Sequence, residues 1–309
     1  MEELLGFLLS EPPVPAPLGS VGDWWAQHLR LAARFPTPVD FAFAGGFAAD
    51  RMGYAFASGY HAALCSLFPG MAREQRGALC VTEAEGGHPA AMRTRLDGAG
   101  EGPSRLGGTK AFVTLGSAAD VLWVVASEGK DEQGRNRLRV VRLDAHRQGV
   151  TLTELPPTPF VPEVPHAVLH LHEVEVAPEE VLPGDGYARY VKPFRTVEDC
   201  HVHAALLGWL LQVGRRSGWP EAVREEVLAL AVAMRGLALA DPTSPAVHLA
   251  LGGTLDLCQR LVEGLEPLWA RVDAPTRERW ERDRALLKVA GKVRAKRREV
   301  ARQTLVKPG

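Results

Sequence analysis

Val168-Leu169-His170-Leu171-His172-Glu173-Val174-Glu175-Val176 alternates apolar and polar residues with a period of two. Side chains along a strand point to opposite faces in turn, so the run reads as a half-buried β-strand, within a strand spanning residues 167–176. It ends a series of short apolar runs, at residues 78–82, 110–114, 121–126, 138–143 and 151–154. Leu115-Gly116-Ser117-Ala118-Ala119-Asp120 separates two of them, and Pro183-Gly184-Asp185-Gly186 punctuates the end of the series. Short strands with turn signals between them predict a small β-barrel or sandwich.

Helical patterns flank this block on both sides. Residues 22–34 place Trp25, Leu29 and Ala32 on one helical face, and Pro36 and Pro38 end that helix. Before it, Glu11-Pro12-Pro13-Val14-Pro15-Ala16-Pro17 is a connector that no helix interior accommodates. Residues 44–68 are rich in Ala and Gly and read as one helical stretch suited to close packing. After the strands, helices are expected at 204–213, 221–239, 246–268 and 275–305, with breaks at 214–220 and at Asp241-Pro242. Helices, then strands, then helices argue against a doubly wound βαβ sheet. The prediction is a multi-domain α+β chain: a helical N-terminal domain (1–76), a β-barrel or sandwich (77–184) and an antiparallel helical bundle (185–309).

With 46% hydrophobic and 24% charged residues, the 309-residue chain has the composition of a globular protein. A net charge of −1 supplies no global field for nucleic acid or a membrane surface. No apolar run approaches the ~20 residues that span a bilayer. The acidic start, Met1-Glu2-Glu3, lacks a signal-peptide pattern, and the expected location is the cytoplasm. Cys65, Cys80, Cys200 and Cys258 form no C-x-x-C pair and read as buried free thiols. From Glu281 onward ten Lys and Arg stand against three acids, a net +7, which reads as a solvated or subunit-contact face. His201 and His203 are two apart on a helix and point to different faces. His170 and His172 share a strand face from which Glu173 points away, so no metal site is expected. Gly98, Gly100 and Gly102 do not lead from a strand into a helix and make no dinucleotide fingerprint.

Three motifs in this framework resemble the acyl-CoA dehydrogenase family. Cys80-Val81-Thr82-Glu83-Ala84-Glu85-Gly86-Gly87-His88 is similar to the family's "T-E-x-x-x-G-S" run at the first strand of its middle domain. Gly107-Gly108-Thr109-Lys110-Ala111-Phe112-Val113-Thr114-Leu115-Gly116 is similar to its "G-x-K-x-W-I-T-N-G" strand. His170-Leu171-His172-Glu173-Val174-Glu175-Val176-Ala177-Pro178-Glu179-Glu180-Val181-Leu182 resembles its "F-x-D-V-x-V-P-x-x-x-L-G" strand exit. The resemblance is clear over residues 45–215 and implies FAD as cofactor. On it, Val81, Thr82, Gly87, His88, Phe112 and Thr114 fall on cofactor-binding positions. Phe112 stands at the family's Trp and can still stack, and His88 stands at its Ser. The bland alternative is that these residues only sustain the β-fold.

The family reaction takes an α-proton from an acyl thioester, which needs a carboxylate raised in pKa by burial. The usual Glu sits on a loop between the last helices, about where this sequence ends. In a minority of the family the Glu starts the first C-terminal helix, and Glu198 matches that position. Its other reading is an acidic residue in a helix's first turn, complementing the dipole. The resemblance implies a flavoprotein that α,β-dehydrogenates acyl-CoA or a related acyl thioester, as a homodimer or homotetramer or with a related subunit. The alternative function is a non-catalytic subunit of the same fold that binds acyl-CoA or a partner chain.

Overall fold

The computed structural model describes residues 1–68, 70–98, 103–289 and 291–306. Gly100 and Gly102, in the expected turn, and Lys307 lie outside them. The chain divides into two compact units. One comprises Met1–Ser66, Thr158–Glu163 and Arg195–Gly309, the other Leu67–Pro157 and Val164–Phe194. The first is helical and is built from segments on both sides of the strands, with a short piece between two of them. The second holds the sheet.

The helical unit carries α1 (Glu2–Ser10), α2 (Val21–Arg34), α3 (Pro38–Ala48), α4 (Met52–Leu67) and α5 (Lys192–Arg216). It continues with α6 (Glu221–Ala238), α7 (Pro245–Gly264), α8 (Ala274–Asp283) and α9 (Gly291–Val306). The stretch expected to be one helix over 44–68 is two, broken at Ala49-Asp50-Arg51. The Asp50 carboxylate accepts from the Leu18 N–H at 3.2 Å, and Arg51 donates to the Leu18 carbonyl at 2.8 Å. These tertiary bonds hold the break, which periodicity does not report. The helix expected over 275–305 is likewise divided, by a 3-10 turn at Arg284–Lys288.

Small residues set the spacing of α3 and α5, as the Ala- and Gly-rich sequence implies. A methyl group on Gly46 would lie inside the Ala205 carbonyl, and one on Gly208 inside the Phe43 carbonyl. Further along, Trp269 and Trp280 stack at 4.5 Å and 12°, with Trp209 packed against both. The basic C-terminal stretch is not simply a solvated face. Arg294 and Arg297 bind Asp199, Arg298 binds Asp256, and Arg282 binds Asp283 and Glu163. Acids of the same unit thus take up much of its charge. No helix among the described residues is long and apolar enough to cross a membrane.

The second unit is one seven-stranded mixed sheet. Its strands are β1 (Gly77–Cys80), β2 (Arg95–Asp97), β3 (Ser104–Thr114), β4 (Val121–Lys130), β5 (Asn136–Asp144), β6 (Val150–Glu154) and β7 (His166–Val176). The order is β1-β4-β2-β3-β7-β6, with β5 paired to β4. Leu96, Leu106, Val124, Val141, Leu169 and Val174 lie within its apolar core. On the other face of β4, the Trp123 ring stacks on Phe68 at 4.1 Å. In β7 the alternation slips once. His172 and Glu173 are both exposed, Glu173 has φ +49°, and the pairing of β3 with β7 shifts register there. Without this bulge Glu173 would share the face of Leu169 and Leu171, so the extra residue keeps a charge out of the core.

Gly46→Ala is expected to destabilise the chain by about 2 kcal/mol or more, as overpacking against backbone does. Gly236→Ala on α6, where an added methyl meets nothing within 4 Å, should instead stabilise by about 0.5–1 kcal/mol. Urea unfolding of the two variants beside the parent chain checks both signs.

Candidate functional site

β1 ends at Cys80, and the chain turns out of the sheet through Val81 and Thr82, both half-buried. The segment is held against β3. The Ala111 N–H donates to the Thr82 carbonyl at 2.7 Å, and Lys110 Nζ reaches the Val81 carbonyl at 3.4 Å. Glu83 and Gly86 then close a tight turn with two backbone hydrogen bonds, of 3.1 and 2.9 Å. Gly86 has φ +101°, a conformation that side chains disfavour. Gly87 follows with its Cα turned to the Thr82 and Val81 side chains, so Val81, Thr82 and Gly87 form one patch.

Beneath this patch is a buried ion pair that sequence reading passed over. Lys110 is fully buried, and its ammonium donates to the Glu83 carboxylate at 2.7 Å. Glu83 also accepts from the Arg93 N–H at 2.8 Å, the Thr94 N–H at 3.0 Å and the Thr94 hydroxyl at 2.7 Å. Burial opposes the Glu83 charge, but the hydrogen bonds from Lys110 and Thr94 outweigh it and hold its pKa below the ordinary 4.5. Burial also pulls Lys110 below its usual value, with Glu83 opposing. Both residues stand inside quoted motifs, in "T-E" and "G-x-K". The available signal was a lysine in a strand whose neighbours are core.

Lys110 and Val113 flank a bulge in the pairing of β3 with β7. Phe112 sits in it with φ +53°, unusual for a bulky residue, and its side chain is 61% exposed. Its ring lies 5.6 Å from that of His166, tilted by 58°. Thr114, two residues on, pairs in register with His166. The bulge therefore turns Lys110 inward and presents Phe112 outward beside Thr114. His166, whose pKa burial lowers, joins this group without any sequence signal. The hydroxyls of Thr82 and Thr114 take no partner among the described residues. His88 is exposed, and its Nδ1 accepts from the Ala90 N–H at 3.2 Å, capping a 3-10 turn at Pro89–Ala91.

Glu198 stands in the helical unit. Because α5 starts at Lys192, Glu198 is past the first turn, beyond the reach of a dipole role. The residue is half-buried as a whole, and its carboxyl has no hydrogen-bond or ion-pair partner among the described residues. Burial, helped by the Asp199 charge and opposed by Arg195 and Arg294, pushes its pKa up to about 7. The neighbouring Asp199 is treated oppositely. Burial opposes its charge, yet Arg294 at 2.8 Å and Arg297 at 2.6 Å hold its pKa below the usual range. His201 and His203 donate from Nδ1 to the Val197 and Asp199 carbonyls of their own helix, each at 2.8 Å. Among the described residues no group of three His, Cys, Asp or Glu could hold a metal. The four cysteines are buried and free.

Lys110→Met should cost about 3–5 kcal/mol, because it leaves the Glu83 carboxylate buried and unpaired. Adding Glu83→Gln should recover part of that loss in urea unfolding. The depressed pKa of Glu83 gives stability that is complete above pH 4.5 and lost as pH falls through the folded value. The parent chain should therefore lose stability in that acid window more steeply than the double variant.

No family model matches the sequence, and no curated protein matches it. Solved structures do. A FAD-dependent dehydrogenase is 15% identical with a TM-score of 0.71, over 99% of this chain and 98% of that one. The prolyl acyl carrier protein oxidase AnaB is 15% identical with a TM-score of 0.66, over 99% of this chain and 97% of that one. Butyryl-CoA dehydrogenase from Megasphaera elsdenii is 13% identical with a TM-score of 0.65, over 94% of this chain and 90% of that one. The similarity runs over nearly the whole of each chain rather than a shared fragment, and this chain has the fold of the acyl-CoA dehydrogenases.

Proposed function

We propose that this chain is a flavin-dependent oxidoreductase that α,β-dehydrogenates an acyl thioester, with Glu198 as the base. The observation that carries the reading is the state of Glu198: a carboxyl without a partner among the described residues, raised to about 7 by burial. A general base works best when its pKa lies near the operating pH, and an ordinary surface Glu is too weak for a carbon acid. Asp199 beside it is committed to two arginines, which leaves one carboxyl of the pair for proton transfer.

The groups around β3 suit FAD. An isoalloxazine needs an aromatic or apolar wall and a few polar contacts at its heteroatoms. Phe112 offers an exposed ring, and the Thr82 and Thr114 hydroxyls are uncommitted. Gly87 and Val81 leave a low wall beside Thr82 for close approach. Bound there, the flavin would accept the hydride from the substrate's β-carbon. Glu198 would take the α-proton onto its carboxylate, and burial would keep that carboxyl from pairing elsewhere. AnaB, named for an acyl carrier protein substrate, and the butyryl-CoA dehydrogenase together support a thioester as the class.

A second reading is a non-catalytic subunit of the same fold, binding acyl-CoA or a partner chain. The His88 ring favours it, because its Nδ1 is tied into a local cap and only Nε2 is left for a ligand.

Purified chain incubated with excess FAD and desalted should retain about one equivalent of flavin. A protein that stays colourless supports the second reading. In the flavin-loaded enzyme kcat/KM should rise with pH through a midpoint near 7, because only the ionised Glu198 accepts a proton. Glu198→Gln should lower kcat by about 100-fold or more and remove that limb. The same substitution should raise Tm above pH 7, where the parent must ionise a buried group, and change it little near pH 4.5. A Glu198→Gln enzyme with full activity would remove this residue from the mechanism.

A further inference from the structure

A half-open cleft of about 240 Å³ lies between α5, α7 and α9 of the helical unit. None of the residues assigned to flavin or to proton transfer lines it. Leu255, Val262 and Leu287 give it apolar walls. One buried polar side chain also lines it: His203, 7% exposed. The bond from His203 Nδ1 to the Asp199 carbonyl assigns the tautomer. A carbonyl oxygen only accepts, so Nδ1 carries the proton and Nε2 is left as an acceptor. That bond takes up the Nδ1 edge of a ring that lines the cleft and leaves Nε2 as its free edge. Nε2 has no partner among the described residues. Burial, followed by the Arg294 charge, holds the ring's pKa down at about 4, so the acceptor persists at neutral pH.

The rim carries charge in balance. Arg298 and Asp256 pair at 2.5 Å, and the Arg298 side chain crosses α7 over Gly252. Arg294 is already bound to Asp199. Among the described residues no unpaired charge lines the cleft to favour an ionic occupant.

We propose that this cleft is a binding site for a small neutral molecule with an apolar body and one O–H or N–H donor, of the size of a phenol or an indole. An apolar cavity of about 150 Å³ holds benzene, so the space here admits a ring with a substituent. A donor completes the empty position on His203, whereas a hydrocarbon of the same shape leaves a buried acceptor unmet.

The test is calorimetric titration of the full chain with phenol and, in parallel, with toluene. Phenol should bind saturably, one molecule per chain, and about 10-fold or more tighter than toluene, the penalty of an unmet buried acceptor. His203→Phe should bring phenol affinity down to that of toluene. Ala295→Trp, on the exposed side of the cleft wall, should abolish binding of both with unchanged far-UV circular dichroism. Equal affinities for the two ligands, no saturable phenol binding, or phenol binding that survives Ala295→Trp in folded protein would each overturn the assignment.

Discussion

Lys110 is buried within the sheet, and the carboxylate of Glu83 matches its charge at 2.7 Å. Taking two charges out of water is costly, and the pair persists because its remaining hydrogen-bonding capacity is used. Two backbone N–H groups and the Thr94 hydroxyl complete the Glu83 shell. The effect is geometric. The pair joins the loop after β1 to the bulge in β3, the two segments that carry Val81, Thr82, Gly87 and Phe112. Hydrophobic burial alone would fix neither a polar loop nor a bulged strand so closely. The inward turn of Lys110 also accompanies the outward presentation of Phe112 two residues later.

A contrast of the same kind sets the chemistry available on α5. Glu198 and Asp199 are adjacent carboxylates, yet two arginines from α9 bind one and none binds the other. One pKa falls and the other rises. Environments that push neighbouring titratable groups apart are how a fold separates a structural acid from a proton-transfer group. The basic C-terminal stretch thus acts through particular arginines, not as a diffuse patch.

Much of the architecture was legible in residue order. The alternation in β7, the glycine-rich turns and the flanking helical periods place the strands between two helical segments, as observed. What failed is instructive about scale. The break at Ala49-Asp50-Arg51 depends on bonds to Leu18, far back in the sequence, and local periodicity carries no trace of them. β2 is three residues long, too short for a period to register. The bulge at Glu173 hides in a run that looks regular, and only the need to keep its charge out of the core marks it. Around the candidate site, the motifs that carry Val81 and Phe112 stand out in the sequence, whereas Lys110 and Glu83 look like ordinary surface charges. Burial, which changes their meaning, is a property of the assembled sheet. The dipole reading of Glu198 failed because α5 begins earlier than its apolar pattern, at Lys192.

The helical unit draws its segments from before, between and after the strands. During synthesis α1 to α4 leave the ribosome long before α5 exists to receive the backbone that Gly46 admits. The sheet unit emerges in between, and its mixed pairing of distant strands is slow to close. The early helices must therefore wait with an apolar face uncovered, the condition in which nascent chains meet chaperones and aggregate. In this chain, order of translation and order of packing are opposed.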